Sequence, residues 1–223
     1  MHAFGGVHFQ SNTLSRPMRQ PITANHLLAI RTFLRSSSLS RDARMLWAAV
    51  TSTFYGLLRS SEFTAPSQTS FIHSTLCIWH LSFASDHSRV TLRLPFSKTD
   101  QFGLGADIQL HRLHSKLCPF SALTRFIRHR PPILGPLFIF SNGDFLTRSH
   151  IVTLLRTVFP NQLDLNTHSF RIGGASALAA AGLPDFVIQV IGRWSSDSFL
   201  RYIRIPVTDL RPYQAVMASL RHR

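Results

Sequence analysis

Between Pro66 and Pro119 the chain changes texture: the segments TLCIWHLSF (75–83), RVTLRLPF (89–96) and ADIQLHRL (106–113) alternate β-branched or large apolar residues with polar ones. A period of two in short runs separated by turn residues predicts strands, and their short separations predict antiparallel pairing. The connection SDHS is brief, whereas SKTDQFGLG is long and Gly-bearing, with Lys98 at its root. Helical periodicity flanks this island on both sides. The fold class is therefore mainly α with a small three-stranded antiparallel β-sheet.

Upstream, ITANHLLAIRTFLRS predicts a helix capped by Thr23 with Leu27, Ile30 and Leu34 facing inward. Ser40 caps a second helix, RDARMLWAAVTSTFYGLLRSSEF, with Met45, Ala48, Ala49 and Ser52 inward, which carries the chain to Arg59 and Glu62. Downstream, Pro119 opens a helix through SALTRFIRHR, and PPILGP breaks the chain. LFIF and the NGD turn predict a short hairpin, and Thr147 caps SHIVTLLRTVF. Then follow HSFRIGGASALAAAG closed by Gly182, PDFVIQVIG running from Pro184 to Gly192, the short SDSFLRYIR, and an amphipathic DLRPYQAVMASL. No internal repeat is present. Residues 1–20 lack apolar periodicity and read as a flexible tail or the remnant of a preceding domain, with the folded domain spanning 21–223.

Charge restricts the partner. Of 24 Lys+Arg only Lys98 and Lys116 are lysines, leaving 22 Arg against nine Asp and the single Glu62, for a net charge of +14. Arginine binds phosphate in a planar, bidentate fashion, so this excess favours nucleic acid over a generic basic surface. No apolar run approaches the roughly 18 residues of a membrane span. The N-terminus lacks the order of a secretory signal, so an intracellular, soluble domain is expected. Cys77 and Cys118 have no CxxC partner, and buried thiols are expected rather than a disulfide or zinc site. The 12 His include no HExxH, so no metal site is expected.

Three separated segments carry the chemistry: YGLLRSSEFT (55–64), THSFRIGGAS (167–176) and IGRWSSDSFLRYIR (191–204). Together they resemble the signature boxes of the tyrosine recombinases, the phage-integrase family. The first is similar to that family's GLR-x-SE-L box, with Arg59 as first catalytic arginine and Glu62 as its acidic companion. The second matches HxxR at His168 and Arg171, and the third resembles the stretch that ends in the nucleophile, Tyr202. Lys98 sits where the family keeps its hairpin lysine. The resemblance implies the recombinase catalytic-domain (DNA breaking-rejoining) fold over 21–223, with the first 20 residues as tail or remnant of a core-binding domain. It further implies double-stranded DNA as partner, self-association in a synaptic complex, and neither metal nor small-molecule cofactor.

The implied reaction is cleavage and rejoining of DNA through a 3′-phosphotyrosyl intermediate, as in site-specific recombination or DNA integration. A phenol nucleophile conserves the bond energy in an ester. Arginine forks on the non-bridging oxygens stabilise the charge of the phosphorane more than that of the ground state. Arg59 and Arg171 would form that clamp, with His168 as further donor or proton shuttle. Lys98 would protonate the departing 5′ oxygen, and Glu62 would orient neighbouring donors. The family usually has His or Trp nine residues before the nucleophile. Here Arg193 stands nine before and Trp194 eight before, so either fills that place. The GRW stretch is more similar to recombinases of eukaryotic mobile elements, cryptons and tyrosine-recombinase retrotransposons, than to bacterial integrases. A nuclear location follows from that likeness, and a cytoplasmic or nucleoid one otherwise. Singly, Arg59 and Glu62 also read as a surface helix pair, Lys98 as a turn lysine and Trp194 as core. A catalytically decayed or domesticated DNA-binding protein on the same fold is the alternative, and type IB topoisomerase activity or RNA binding are more distant ones.

Overall fold

A computed structural model describes residues 19–36, 40–95 and 105–203. Lys98, Tyr213, the first 18 residues and the DLRPYQAVMASL segment lie outside the described residues. Seven α-helices are described: α1 (Ala24–Ser36), α2 (Arg41–Tyr55), α3 (Ser60–Phe63), α4 (Pro119–Ile127), α5 (Arg148–Val158), α6 (Thr167–Ala180) and α7 (Asp185–Gly192). Strands β1 (Leu81–Phe83), β2 (Arg89–Leu94) and β3 (Ala106–His111) form one antiparallel sheet in that order. Short 3-10 helices cover Ile78–His80 and Asp197–Tyr202.

The alternation read in the sequence sets which face of the sheet is buried. Val90, Leu92 and Leu94 on β2 and Ile108 and Leu110 on β3 are buried, and the register pairs Val90 with Leu110 and Leu92 with Ile108. On the opposite face Arg93 pairs with Asp107 at 3.1 Å in solvent, where such a bridge contributes little. The buried face joins a core built on α2, which packs against α1, α4 and α6. Leu27, Ile30 and Leu34 of α1 and Met45, Ala48, Ala49 and Ser52 of α2 are all buried, as their spacing predicts.

Several boundaries differ from the sequence reading. The long second helix breaks at Gly56: α2 ends at Tyr55, Leu57 turns left-handed at φ 47°, and the chain restarts at α3. Helical propensity in YGLLRSSEF is overridden because the turn tucks Leu57 and Leu58 into buried positions. The first strand is confined to 81–83, the residues ahead of it forming a 3-10 turn, and β2 stops at Leu94 before Pro95, which has no N–H for the ladder. The hairpin after LFIF reduces to one bridge between Ile139 and Phe145, closed by Phe140 N–H on the Asp144 carbonyl at 2.8 Å. Cys77 and Cys118 are free and buried, and burial pushes the Cys77 thiol up to about 11. Among the described residues no group of His, Cys, Asp and Glu could hold a metal ion, and no helix is long and apolar enough to cross a membrane.

A smaller second core joins Leu57, Ala175, Ala179, Ile188, Trp194 and Phe199, with Tyr202 packed against it. Small residues allow this approach. A Cβ on Gly173 would stand 1.8 Å from the Ile22 carbonyl oxygen, and one on Gly174 would stand 2.4 Å from the Phe54 carbonyl oxygen. The RIGGAS run thus lets α6 touch backbone on two sides, and Ile22 N–H donates to the Ser169 carbonyl at 2.9 Å.

Candidate active site

The turn after α2 and the N-terminus of α3 set Arg59. Its backbone N–H donates to Glu62 Oε2 at 2.7 Å and its guanidinium to Glu62 Oε1 at 3.0 Å, so residue and partner close the first turn of α3 on each other. The Glu62 carboxylate is 1% exposed and also accepts from the Arg193 guanidinium at 2.9 Å. A buried carboxylate tolerates desolvation only when paired and hydrogen-bonded, and here two guanidiniums satisfy that condition. The sequence reading of Arg59 and Glu62 as an exposed helix pair is thereby excluded.

Arg193 owes its place to the end of α7. Its φ of 56° and ψ of 48° are left-handed, with Arg193 N–H donating to the Val190 carbonyl and Trp194 N–H to the Gln189 carbonyl, both at 3.0 Å. This is a Schellman closure in which arginine occupies the position where glycine is usual. The sequence reading gave that helix end to Gly192. Gly192 is instead required one residue earlier, because a Cβ there would lie 1.4 Å from Trp194 Cζ3. The left-handed strain on Arg193 is offset by its guanidinium, which donates to the carbonyls of Gly56 at 3.1 Å and Leu57 at 3.0 Å besides Glu62. Arg59 returns the contact, donating to the Arg193 carbonyl at 3.0 Å.

Arg171, one turn into α6, is 1% exposed. Its guanidinium donates to the Leu57 carbonyl and, at 2.5 Å, to the Gly192 carbonyl. Its Cζ stands 4.1 Å from the Trp194 ring centroid and 5.7 Å from that of Tyr202. Burial, then the charges of Arg59 and Arg193, lower its pKa to about 9, so it stays cationic at neutral pH. His168 lies at the start of the same helix, which Asn166 caps by accepting from His168 N–H at 2.9 Å. Its ring centroid is 4.9 Å from that of Tyr202. Burial first, then Arg19, Arg171 and Arg148, push its pKa down to about 4 and leave it neutral. Tyr202 ends the 3-10 helix Asp197–Tyr202, half-buried, with its ring 5.0 Å from Trp194 and its carbonyl accepting from Ser176 Oγ at 3.1 Å.

Arg59, Glu62, His168, Arg171, Arg193, Trp194 and Tyr202 thus converge on one place from the start of α3, α6, the α7 end and the 3-10 helix Asp197–Tyr202, while Lys98 falls outside the described residues. Three guanidiniums stand against one carboxylate, which makes the cluster cationic and suited to an anionic group. Sequence reasoning missed Gly56, Leu57 and Gly192, whose carbonyls anchor the arginines, and Ser176. Carbonyl acceptors leave no mark on residue type, although Gly56 at the end of an apolar helix signalled the turn. Arg19 and Arg148, which act on His168 electrostatically, are two of many arginines and carry no local signal.

No protein-family model matches the sequence, and no curated protein is similar to it in sequence. Solved structures are similar in fold. The chain superposes on XerH site-specific recombinase, bound to a palindromic difH substrate in a post-cleavage complex, with TM-score 0.64 and 14% identity over 89% of this chain and 53% of that one. XerA recombinase matches with TM-score 0.62 and 16% identity over 92% of this chain and 67% of that one. The Tn1549 transposon integrase, in complex with a circular intermediate DNA, matches with TM-score 0.61 and 16% identity over 91% and 67%. The chain spans about half the length of the XerH protein. The seven described helices around a three-stranded antiparallel sheet have the fold of the tyrosine recombinase catalytic domain, the matches covering about nine-tenths of this chain.

Proposed function

We propose that this chain is a tyrosine-type DNA recombinase or integrase that breaks and rejoins duplex DNA through a 3′-phosphotyrosyl intermediate. The observation that carries the reading is the convergence of Arg59, His168, Arg171, Trp194 and Tyr202 in one cationic cluster, on a fold shared with recombinases. In the reaction the Tyr202 Oη attacks the scissile phosphorus and gives up its proton to the neutral His168 imidazole, the bond to the 5′ oxygen breaks, and the phosphate passes to the phenol. Attack by a 5′ hydroxyl reverses the step and rejoins the strand, so the exchange needs no external energy source. Lys98 protonates the departing 5′ oxygen.

Arg59 and Arg171 stabilise the charge on the non-bridging oxygens. His168 enters neutral because burial, and after it the Arg19, Arg171 and Arg148 charges, depress its pKa; an arriving phosphate offsets the charge part and raises its basicity in part, while the burial remains. Trp194, which covers Arg171 and flanks Tyr202, takes the place open to either residue in the sequence. Arg193 is a positioning residue, its donors directed at Gly56, Leu57 and Glu62. Arg171 is covered by Trp194 and Tyr202, so cleavage requires the Asp197–Tyr202 segment to move off it before phosphate enters.

The chain is read as one catalytic domain over 21–223 following a tail or core-binding remnant, self-associating on DNA and located in the nucleus of a host of a eukaryotic mobile element. Incubation with nicked suicide duplexes tests the activity: a covalent adduct is expected on denaturing gels and is lost in Tyr202→Phe. Salt-dependent duplex binding without any adduct supports the alternative, a decayed DNA-binding protein.

A further inference from the structure

At the end of α2 away from the candidate site, α1, α2 and α4 enclose an open groove of about 760 Å³. Its floor is apolar: Leu34, Ala43, Cys118 and Ala122 are buried, and Trp47 packs half-buried against the main core. Its rim is cationic, with Arg31 and Arg35 on α1, Arg44 on α2, Lys116 before α4 and Arg125 on α4. Among the described residues no Asp or Glu lines it. Among the described residues the ion pairs engage Arg59, Arg93 and Arg193 and none of these five. Asp42, the nearest acid in sequence, turns to the Ser141 backbone N–H at 2.6 Å and to Ser141 Oγ at 3.1 Å. Arg31 is lowered by burial and then by Arg35 and Arg125, so the rim cations repel one another.

We propose that this groove docks an acidic amphipathic helix of a partner protein, apolar side chains on the floor and carboxylates on the rim. Both halves of the surface are needed for the assignment. A duplex would satisfy the cations, but its backbone offers no alkyl groups to a floor of Leu34, Trp47 and Ala122. A helix with one apolar and one acidic face satisfies both, as in other helix-in-groove recognition. Because α2 rises about 1.5 Å per residue, the groove at Arg44 and the Tyr55 end of α2, next to the Gly56 carbonyl at the arginine cluster, stand roughly 17 Å apart along one helix. Occupancy of the groove is therefore compatible with an occupied site.

The probe is a synthetic peptide of about 18 residues, Leu at i, i+3, i+4 and i+7 and Glu elsewhere, against its scrambled isomer. Anisotropy titrations of the whole protein are expected to show the amphipathic isomer binding at least about tenfold tighter than the scramble. In ¹⁵N spectra the Trp47 indole N–H, assigned with Trp47→Phe, is expected to shift. The exposed pair Arg35→Glu and Arg125→Glu is expected to weaken binding at least about tenfold with an unchanged melting temperature. Equal binding of the two isomers, or an unmoved Trp47 resonance, overturns the proposal. So does a duplex oligonucleotide that displaces the peptide and loses as much affinity in the charge reversal, which would make the rim a nucleic-acid contact.

Discussion

Arg171 Cζ lies 4.1 Å from the centroid of the Trp194 indole, and this contact is possible because residue 192 has no side chain. The indole occupies the space a Cβ at Gly192 would need, and the Gly192 carbonyl accepts from the same guanidinium. One glycine therefore places both the ring above Arg171 and an acceptor beside it. A desolvated contact of this kind is worth up to about 2 kcal/mol.

Gly192→Ala is expected to expel the indole from Arg171. The overlap at 1.4 Å from Trp194 Cζ3 should lower stability by about 2 kcal/mol in urea titrations and shift Trp194 emission to the red. The phosphotyrosyl adduct should fall with it. Unchanged emission would mean that the indole relaxes elsewhere without leaving the guanidinium.

Glu62→Gln should be costly because two guanidiniums lose their shared carboxylate. Removing one member of a buried ion network costs about 3 kcal/mol or more. Arg193→Met carries a related loss, and the double variant is expected to be at least about 1 kcal/mol less destabilised than the sum of the singles. Additive values from chemical denaturation would show that the carboxylate does not couple the two.

His168 provides the pH dependence. Its folded pKa of about 4 lies below the ordinary 6.5, so between those values the unfolded chain binds a proton that the folded one refuses. Stability from this group is thus full above about 6.5 and falls as pH drops toward 4, and His168→Asn should flatten that part of the melting-temperature profile. NMR titration should find the imidazole midpoint near 4 in free protein and higher with a duplex bound. A midpoint unmoved by DNA would separate His168 from the phosphate.

Gly174 and Gly182 offer a contrast between packing and backbone strain. A Cβ on Gly174 meets Leu57 Cδ2 at 2.3 Å and the Phe54 carbonyl oxygen at 2.4 Å, so Gly174→Ala should push α6 from the end of α2. That separates Arg171 from the Leu57 carbonyl and should reduce both stability and DNA cleavage. Gly182→Ala meets nothing within 4 Å and carries only its φ of +79°, a cost of about 1 kcal/mol with cleavage retained. Parallel denaturation and suicide-substrate assays distinguish the two.

The sequence by itself determined the class and the cast. Period-two alternation at Val90, Leu92 and Leu94 against helical spacing at Leu27, Ile30 and Leu34 is local information, and those residues are buried as it requires. The boxes named the seven described residues that meet at the site, since residue type and spacing survive in the string. The tertiary structure decided what each does to the others. Whether Glu62 is a solvated helix partner or a buried bridge depends on Arg193, 131 residues away, and whether Arg193 or Trp194 faces Tyr202 depends on a left-handed turn at the end of α7. Carbonyl acceptors, desolvation and ring contacts exist only when distant segments are brought together, which is why the anchoring of the arginines and the neutrality of His168 had no trace in the string.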